Sequence, residues 1–524
     1  MDPSETIIYK LLEQEKLDGE SLRRVISQVS AKYNLRGFDS NVKLMETYYR
    51  LVDEEEIEPN EALEKALITK KMRSLSGVSV VTVLTKPYPC RGQCLYCPSE
   101  KNVPKSYLSN EPAVMRAIIN GYDPYRQVVC RLQSLKLQGH PVDKVELIII
   151  GGTFSDLPKK YQEEFIKRCL DGMNGFRANS LDEAKEANES APSRCVGLTL
   201  ETRPDCLNKK EINFFKYLGA TRVEMGVQST DDQVLSMNKR GHDNEATKQA
   251  TRLLKDSGFK VCYHMMPNLY GSNPKKDIKT IKKIFTDPAF RPDYLKIYPC
   301  MVTAGTELAK LWREGKYFSY SDDELITVIS EIKKAVPYWL RIMRTIRDIP
   351  ASSIISGSKT SNLRQIILER AEKEGWSCKC IRCREVGAKS QQQITNSQQP
   401  KMFLEEYKAS GGRESFLSFE SEDREKLYSL LRLRLTKNQF ITDIKNAGLV
   451  RELHTYGQEE KIGQKGTTQH AGYGKRLLKE AEKITLENGY RKIAVISGIG
   501  TREYYRKLGY KLTGEYMTKE LSSR

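Results

Sequence analysis

An α/β architecture is what this sequence predicts: a parallel sheet or barrel over residues 74–345, behind a helical segment at 1–73. A stretch at 346–399 then leads to a separate α+β domain at 400–524. Three observations carry that reading. From about 74 to 345, apolar runs and amphipathic runs alternate about six times, and strand–loop–helix repetition is the mark of parallel strands. The texture changes after 345, where polar SSIISGSKTSNLRQ, cysteine-rich WSCKCIRCREVG and low-complexity SQQQITNSQQP follow one another. Beyond 400, strand-like runs surround one strongly helical segment.

The elements follow in order. LEQEKLDGESLRRVISQVSAKYN and SNVKLMETYYRLVDEEE space their apolar residues three and four apart, as helices do. GVSVVTVLT opens the repeat as a strand. KVELIIIGG, RCVGLTLETRP, ATRVEMGVQS, GFKVCYHMMP and PDYLKIYPC continue it, each ending in a Gly-, Pro- or polar-rich loop. KYQEEFIKRCLDGMN and NEATKQATRLLKDSG are helices between them. In such folds the reactive groups gather at the C-terminal ends of the strands. After 400, MFLEEYKASGGRESFLSFESED, KLYSLLRLRL, LVRELHTYG and KIAVISGIG read as strands, and GYGKRLLKEAEKITLENG as a helix.

Composition bounds the function. At 524 residues the core is not limited by size, and 39% hydrophobic with 29% charged residues fit a soluble globular chain. VELIIIGG falls far short of the ~20 apolar residues that span a bilayer, and no signal-peptide pattern opens the chain. The expected location is therefore cytoplasmic, where thiols stay reduced. Twelve cysteines then suggest metal ligands or small core residues, with Cys130, Cys169, Cys195 and Cys262 assigned to the core. A formal charge of +18 favours a polyanionic partner such as nucleic acid.

Cys90, Cys94 and Cys97 crowd three thiolates onto one loop, the donor set of a soft metal or an iron–sulfur cluster. A structural zinc site normally completes four protein ligands, and the next Cys or His is Cys130, beyond a helical stretch. Three ligands on a four-iron cluster leave one iron open. Gly151-Gly152-Thr153 ends the second strand where a ligand can approach the backbone closely. Glu201 and Gln228 end later strands, and His264 either faces the same mouth or is a buried core histidine. Gln469, Gly472, Tyr473 and Gly474 precede a helix, a place where backbone N–H groups bind phosphate. Cys378, Cys380 and Cys383 suit tetrahedral zinc, with no evident fourth ligand.

The C-x3-C-x2-C spacing resembles that of radical S-adenosylmethionine (SAM) enzymes, and Q-x-x-G-x-G resembles the pyrophosphate loop of Gcn5-related acetyltransferases. Taken with GYDPY, ETRPD, RVEMGVQS, NKRGH, RDIP, REVG, LLRLRL and TREYYRKLGY, the chain resembles the Elongator catalytic-subunit family over nearly its whole length. The eukaryotic members space the first two cluster cysteines more widely. The resemblance implies a partial (β/α) barrel with a [4Fe-4S] cluster on Cys90, Cys94 and Cys97, and SAM held near Gly151, Gly152, Thr153, Glu201 and Gln228. It further implies acetyl-CoA contacts at Lys144, Glu452, Leu453, His454, Thr455, Gln469, Gly472, Tyr473, Gly474, Lys475 and Tyr505. Lys144, Glu452, His454, Tyr504 and Tyr505 would be the catalytic set. The implied activity forms 5-carboxymethyluridine at the wobble uridine of tRNA: SAM cleavage yields a radical, the acetyl methyl loses hydrogen and adds to the base, and thioester hydrolysis follows. An anticodon loop and an electron donor are the implied partners. SEKNVPKSY, SLRRVISQVSAKYNLR and KKMRSL are candidate grips on the RNA backbone. The rival reading is a protein lysine acetyltransferase whose iron–sulfur domain is structural. The sequence leaves a homodimer and accessory subunits open.

Overall fold

The computed structural model describes residues 2–34, 41–68, 77–386, 399–457 and 472–522. KKMRSL, Gln469 and most of SQQQITNSQQP lie outside them. Helices Pro3–Leu12, Gly19–Lys32, Asn41–Asp53 and Glu61–Leu67 enclose their own core around Ile7, Val25, Leu44 and Leu51. Asp18 caps the second of these by accepting from the N–H groups of Glu20 and Ser21, and the Ser21 bond, the neighbouring Lys16 ammonium and the Glu20 bond hold its carboxyl well below the usual range.

Seven parallel strands follow. They are β1 (Val78–Leu84), β2 (Lys144–Ile150), β3 (Arg194–Thr202), β4 (Arg222–Gln228), β5 (Lys260–Met265), β6 (Tyr294–Ile297) and, after the two-residue β7 (Val302–Thr303), β8 (Arg341–Arg344). Their order is β1-β2-β3-β4-β5-β6-β8, each pair parallel. β1 and β8 are the edges, so the barrel is partial and open along one side. Val81, Val83, Leu147, Ile149, Leu198, Leu200, Val223, Met225, Val261 and Tyr263 face the surrounding helices and are buried there. The alternate positions face inward, which the two-residue period of a strand requires. β9 (Ile354–Ser356) pairs with β7 as a small ribbon.

The C-terminal sheet has β10 (Lys401–Ala409), β11 (Gly412–Glu420), β12 (Leu427–Leu435), β13 (Ala447–Thr455), β14 (Lys492–Val495), β15 (Lys511–Thr513) and β16 (Tyr516–Glu520), in the order β10-β11-β12-β13-β14-β16-β15. Helix Tyr473–Glu487 covers one face through Leu477, Leu478 and Ala481. Between the sheets run helix Leu363–Lys373 and the cysteine segment. Arg384 reaches the Tyr338 carbonyl at 2.8 Å on the barrel side and Glu420 at 2.8 Å in β11.

The C-terminal sheet docks on the N-terminal ends of the barrel strands. Arg451 of β13 pairs with Asp293, just before β6, at 2.8 Å, and also holds Glu414 at 2.8 Å and the Phe259 carbonyl at 2.8 Å. Arg434 bridges Asp256 and Glu414, each at 2.9 Å. Lys255 completes this buried set at 3.2 Å from Asp293. A methyl group on Gly498 would stand 2.1 Å from the Val196 carbonyl, so only glycine lets this loop lie against β3.

One sequence expectation is corrected, and the structure adds elements that the sequence reading left unassigned. Cys130 is exposed, on the outer face of helix Pro124–Leu137, while Cys169, Cys195 and Cys262 are buried. Its apolar neighbours in sequence turn inward while it turns out. RIMR forms the seventh barrel strand, which four residues without an apolar run do not announce. The sequence after the last helix adds β15 and β16 to the C-terminal sheet.

Candidate active site at both ends of the barrel

One cavity of about 900 Å³ runs through the inside of the barrel. Its upper end, at the strand C-termini, is lined by Cys90, Cys94, Cys97, Gly152, Thr153, Glu201, Gln228 and His264. Its lower end is lined by Tyr294 and Arg341 of the barrel and by Glu452, Leu453, His454, Ser497 and Tyr505 of the C-terminal sheet. Seven residues of β2 set the separation at about 20 Å.

At the upper end, three cations converge on the cysteine loop. Lys105 donates to the Gly92 carbonyl at 2.7 Å. Arg240 donates to the Cys94 sulfur at 3.3 Å, and Arg203 is clamped on Asp205 by two bonds of 3.0 Å. The Cys97 hydrogen bond, and then Arg240, hold the Cys94 thiol well below its usual range despite burial, which favours a thiolate. Gly151 has φ +134°, and a methyl group there would meet the Thr85 hydroxyl oxygen at 2.1 Å. Gln228 sits at φ +72° with its side-chain oxygen buried and unpartnered among the described residues. Such an orphaned acceptor at a strand end suits a ligand with N–H groups. The donor set, its surrounding positive charge and these cradles fit an anionic cluster with a bound amino acid moiety.

The middle of the cavity is polar. His264 Nε2 lies 2.8 Å from Glu224 Oε2, which also accepts from Lys296. Burial alone would raise the Glu224 pKa, but Lys296, His264 and Arg222 hold it far below the usual range. Glu224, Cys262 and His264 come close enough to bind a metal ion, yet the Lys296 ammonium already serves as the cation there. Tyr107 donates to Glu201 at 2.8 Å.

At the lower end, Glu452 accepts from Arg432 at 2.7 Å and from the Tyr294 hydroxyl. Burial opposes its ionisation, but Arg432, Lys260 and Tyr294 bring its pKa down to about 2. A carboxylate so firmly ionised is a poor general base for an amine. His454 contrasts with it. Burial lowers its pKa, and Nε2 is buried without a partner among the described residues. The Ser497 hydroxyl is likewise unpartnered. Gly474, at the start of helix Tyr473–Glu487, brings the Tyr504 hydroxyl within 3.3 Å of where a methyl group would stand, with Thr455 and Leu453 beside it.

The structure thus gathers the cysteine trio, Gly152, Thr153, Glu201, Gln228, Glu452, Leu453, His454 and Tyr505 on one wall system. It places Leu453, Thr455 and Tyr504 around Gly474, with Gly472, Tyr473 and Lys475 on the same turn. Lys144 stands at the foot of β2, 3.9 Å from Asp143, and is not a cavity residue. The Cys378, Cys380 and Cys383 sulfurs lie within 4.8 Å of one another, and Lys333 donates to Cys383 at 3.6 Å. Sequence reading missed Arg222, Lys260, Lys296 and Arg341. Their signal was a charged residue at alternate positions of strands otherwise buried.

An open parallel barrel with three cysteines on the loop after its first strand defines a radical SAM enzyme. Residues 88–284 match the family model described as Radical SAM superfamily, and 292–373 that described as Radical_SAM C-terminal domain. Membership implies a [4Fe-4S] cluster and SAM. The chain belongs, more narrowly, to the family of the tRNA uridine(34) acetyltransferases and Elongator complex protein 3. It is 46% identical to the tRNA uridine(34) acetyltransferase of Methanocaldococcus infernus, over 99% of this chain and 98% of that protein. It is 39% identical to Elongator complex protein 3 of Homo sapiens, over 98% of this chain and 96% of that protein. The solved structure of the archaeal Methanocaldococcus infernus Elp3 with an N-terminal deletion (1–46) matches with a TM-score of 0.76 at 46% identity, covering 85% of this chain and 100% of that one.

Proposed function

We propose that this chain modifies the wobble uridine of tRNA, using acetyl-CoA as carbon donor and radical SAM chemistry to form 5-carboxymethyluridine. The observation that carries the reading is the single cavity joining the cysteine loop to Glu452, His454 and Tyr505. A radical enzyme with an unrelated acyl-binding domain would have no need of such a conduit. When bound, the cluster and SAM supply the hydrogen-abstracting radical that an unactivated acetyl methyl requires.

The chain's own residues divide the remaining work. Cys90, Cys94 and Cys97 hold the cluster, and Gly151, Gly152, Thr153, Glu201 and Gln228 hold SAM beside it. The turn at Gly472–Lys475 presents helix N–H groups to the donor's pyrophosphate. Leu453, Thr455, Tyr504 and Tyr505 orient the thioester toward the barrel foot. His454, neutral and with Nε2 free, takes the proton from water as the thioester is hydrolysed. Glu452 is held ionised and orients Tyr294 and Arg432. Lys144, at the foot of β2, contacts the acetyl-CoA donor from the barrel side. Cys378, Cys380 and Cys383 hold a zinc ion that fixes the segment between the two sheets.

The base enters unstacked, as an anticodon loop allows. The way in is the open side between β1 and β8, where Arg116, Arg131, Arg344 and Arg347 line the cavity. Anaerobically reconstituted protein with reductant, SAM, methyl-labelled acetyl-CoA and unmodified tRNA tests the reading. Label is expected in carboxymethyluridine and none with Cys94→Ala. Label on protein lysines instead would overturn it in favour of a lysine acetyltransferase, a reading the ionised Glu452 already disfavours.

A further inference from the structure

Arg240 is a buried cation with no carboxylate. It is 7% exposed, and none of its ion pairs or hydrogen bonds among the described residues goes to an acid. One guanidinium nitrogen donates to Cys94 Sγ at 3.3 Å and the other to the Gly226 carbonyl at 2.6 Å, while Nε is buried without a partner. Every other large buried cation nearby has an anion: Arg203 has Asp205, Arg222 has Glu146 and Lys296 has Glu224. An uncompensated buried charge is strongly destabilising. The local backbone nevertheless holds Arg240 firmly, because Arg203 donates to its carbonyl at 2.7 Å. Gly226 is shaped around it: a methyl group there would come within 2.6 Å of the guanidinium.

We propose that Arg240 is the counter-ion of the iron–sulfur cluster, a positioning residue that holds Cys94 and makes the cluster easier to reduce. This rests on the cluster assignment above and not on the acyl donor or the RNA. A cubane held by three thiolates is anionic, and reduction adds one more negative charge. A fixed positive charge and a hydrogen bond on a ligating sulfur stabilise that added charge, and so raise the reduction potential. Arg203 and Lys105 contribute by fixing Arg240 and the Gly92 turn, and not by touching sulfur.

The test uses the full chain, reconstituted anaerobically, with iron and sulfide content measured before each titration. A spectroscopic redox titration then compares the parent protein with Arg240→Gln and Gly226→Ala. The first removes the charge; the second displaces it without removing it. Both are expected to carry the parent's iron. At a fixed potential near the parent midpoint, the reduced-to-oxidised ratio in Arg240→Gln is expected to fall about tenfold, which is 59 mV for one electron, with a smaller fall in Gly226→Ala. Arg240→Lys should recover part of the ratio. A loaded Arg240→Gln that titrates like the parent overturns the proposal. If Arg240→Gln loads no iron, Gly226→Ala decides alone, and an unshifted titration there overturns it. Folded variants that all fail to take up iron overturn it too, making Arg240 an assembly group instead. Loss of iron from Cys94→Ala is the separate check on the cluster assignment.

Discussion

The two ionisable side chains at the foot of the cavity, two residues apart on one strand, have opposite fates. Glu452 points at Arg432 and Tyr294 and stays a carboxylate down to about pH 2. His454 Nε2 has no hydrogen-bond partner among the described residues, and burial, against the pull of Glu452, keeps its imidazole neutral below the ordinary value of about 6.5. Hydrolysis of acetyl-CoA by the tRNA-bound enzyme should therefore stay flat as pH falls through that ordinary value, and decline only below it. A break at or above 6.5 would remove His454 from the role of base. His454→Gln should slow the hydrolysis by roughly 10²–10⁴, whereas Glu452→Gln should act mainly by loosening Tyr294 and Arg432. Measured rates at saturating donor separate the two. In VRELHTYG the residues alone showed His454 as a polar residue in a strand, and only the family resemblance marked it as a site residue; which of Glu452 and His454 would be neutral depended on partners far away in sequence.

At the scale of elements, the fold's legibility follows from how far each determinant reaches. Six barrel strands could be read because each carries its own apolar run and its own terminating loop, and the cysteine trio because three thiols on one loop are a local signal. β8 escaped because its pattern is only Arg-Ile-Met-Arg. The docking of the two sheets escaped entirely: Asp293 and Arg451 are 158 residues apart, and each alone reads as a surface charge. Gly498 lies inside KIAVISGIG, read as a strand, yet the strand ends at Val495 and the need for glycine is set by the Val196 carbonyl. Gly498→Ala should cost about 1–3 kcal/mol through that clash, seen as a lower melting temperature and easier proteolysis between the sheets. Arg451→Met should cost more, about 3–5 kcal/mol, because Asp293 and Glu414 lose a shared cation inside the interface. Burial would raise the Asp293 pKa, but Arg451 and Lys255 hold it far below its unfolded value of about 3.9. Its contribution is thus complete above that value and is lost as pH falls toward the depressed one. Interface stability that is unchanged from pH 6 to pH 3 would contradict this account.

Across the whole molecule, the +18 charge is unevenly used. Within the barrel most cations are spent on named anions, and the C-terminal sheet binds the barrel through paired ones. Arg116 and Arg131 are different. They line the open side of the cavity and make no ion pair among the described residues, and burial lowers the pKa of both. Two half-desolvated guanidinium groups at a gap between edge strands are costly unless an anion arrives, and phosphodiesters are the anions of the proposed substrate. If the complex makes 6–10 phosphate contacts in all, tRNA affinity should drop by about 10³–10⁵ between 50 and 200 mM salt. Removing one contact from a single-stranded loop should reduce the log–log slope by about 0.7. Arg116→Gln and Arg131→Gln are each expected to do so, and to weaken binding to unrelated tRNAs by the same factor, because phosphate contacts carry no sequence information. Measured by fluorescence anisotropy across a salt series, slopes equal to the parent's in both variants would place the RNA elsewhere. They would leave the open side of the barrel as an entrance for small molecules alone, and the base would then have to reach the cluster by the mouth above Gln228 and His264.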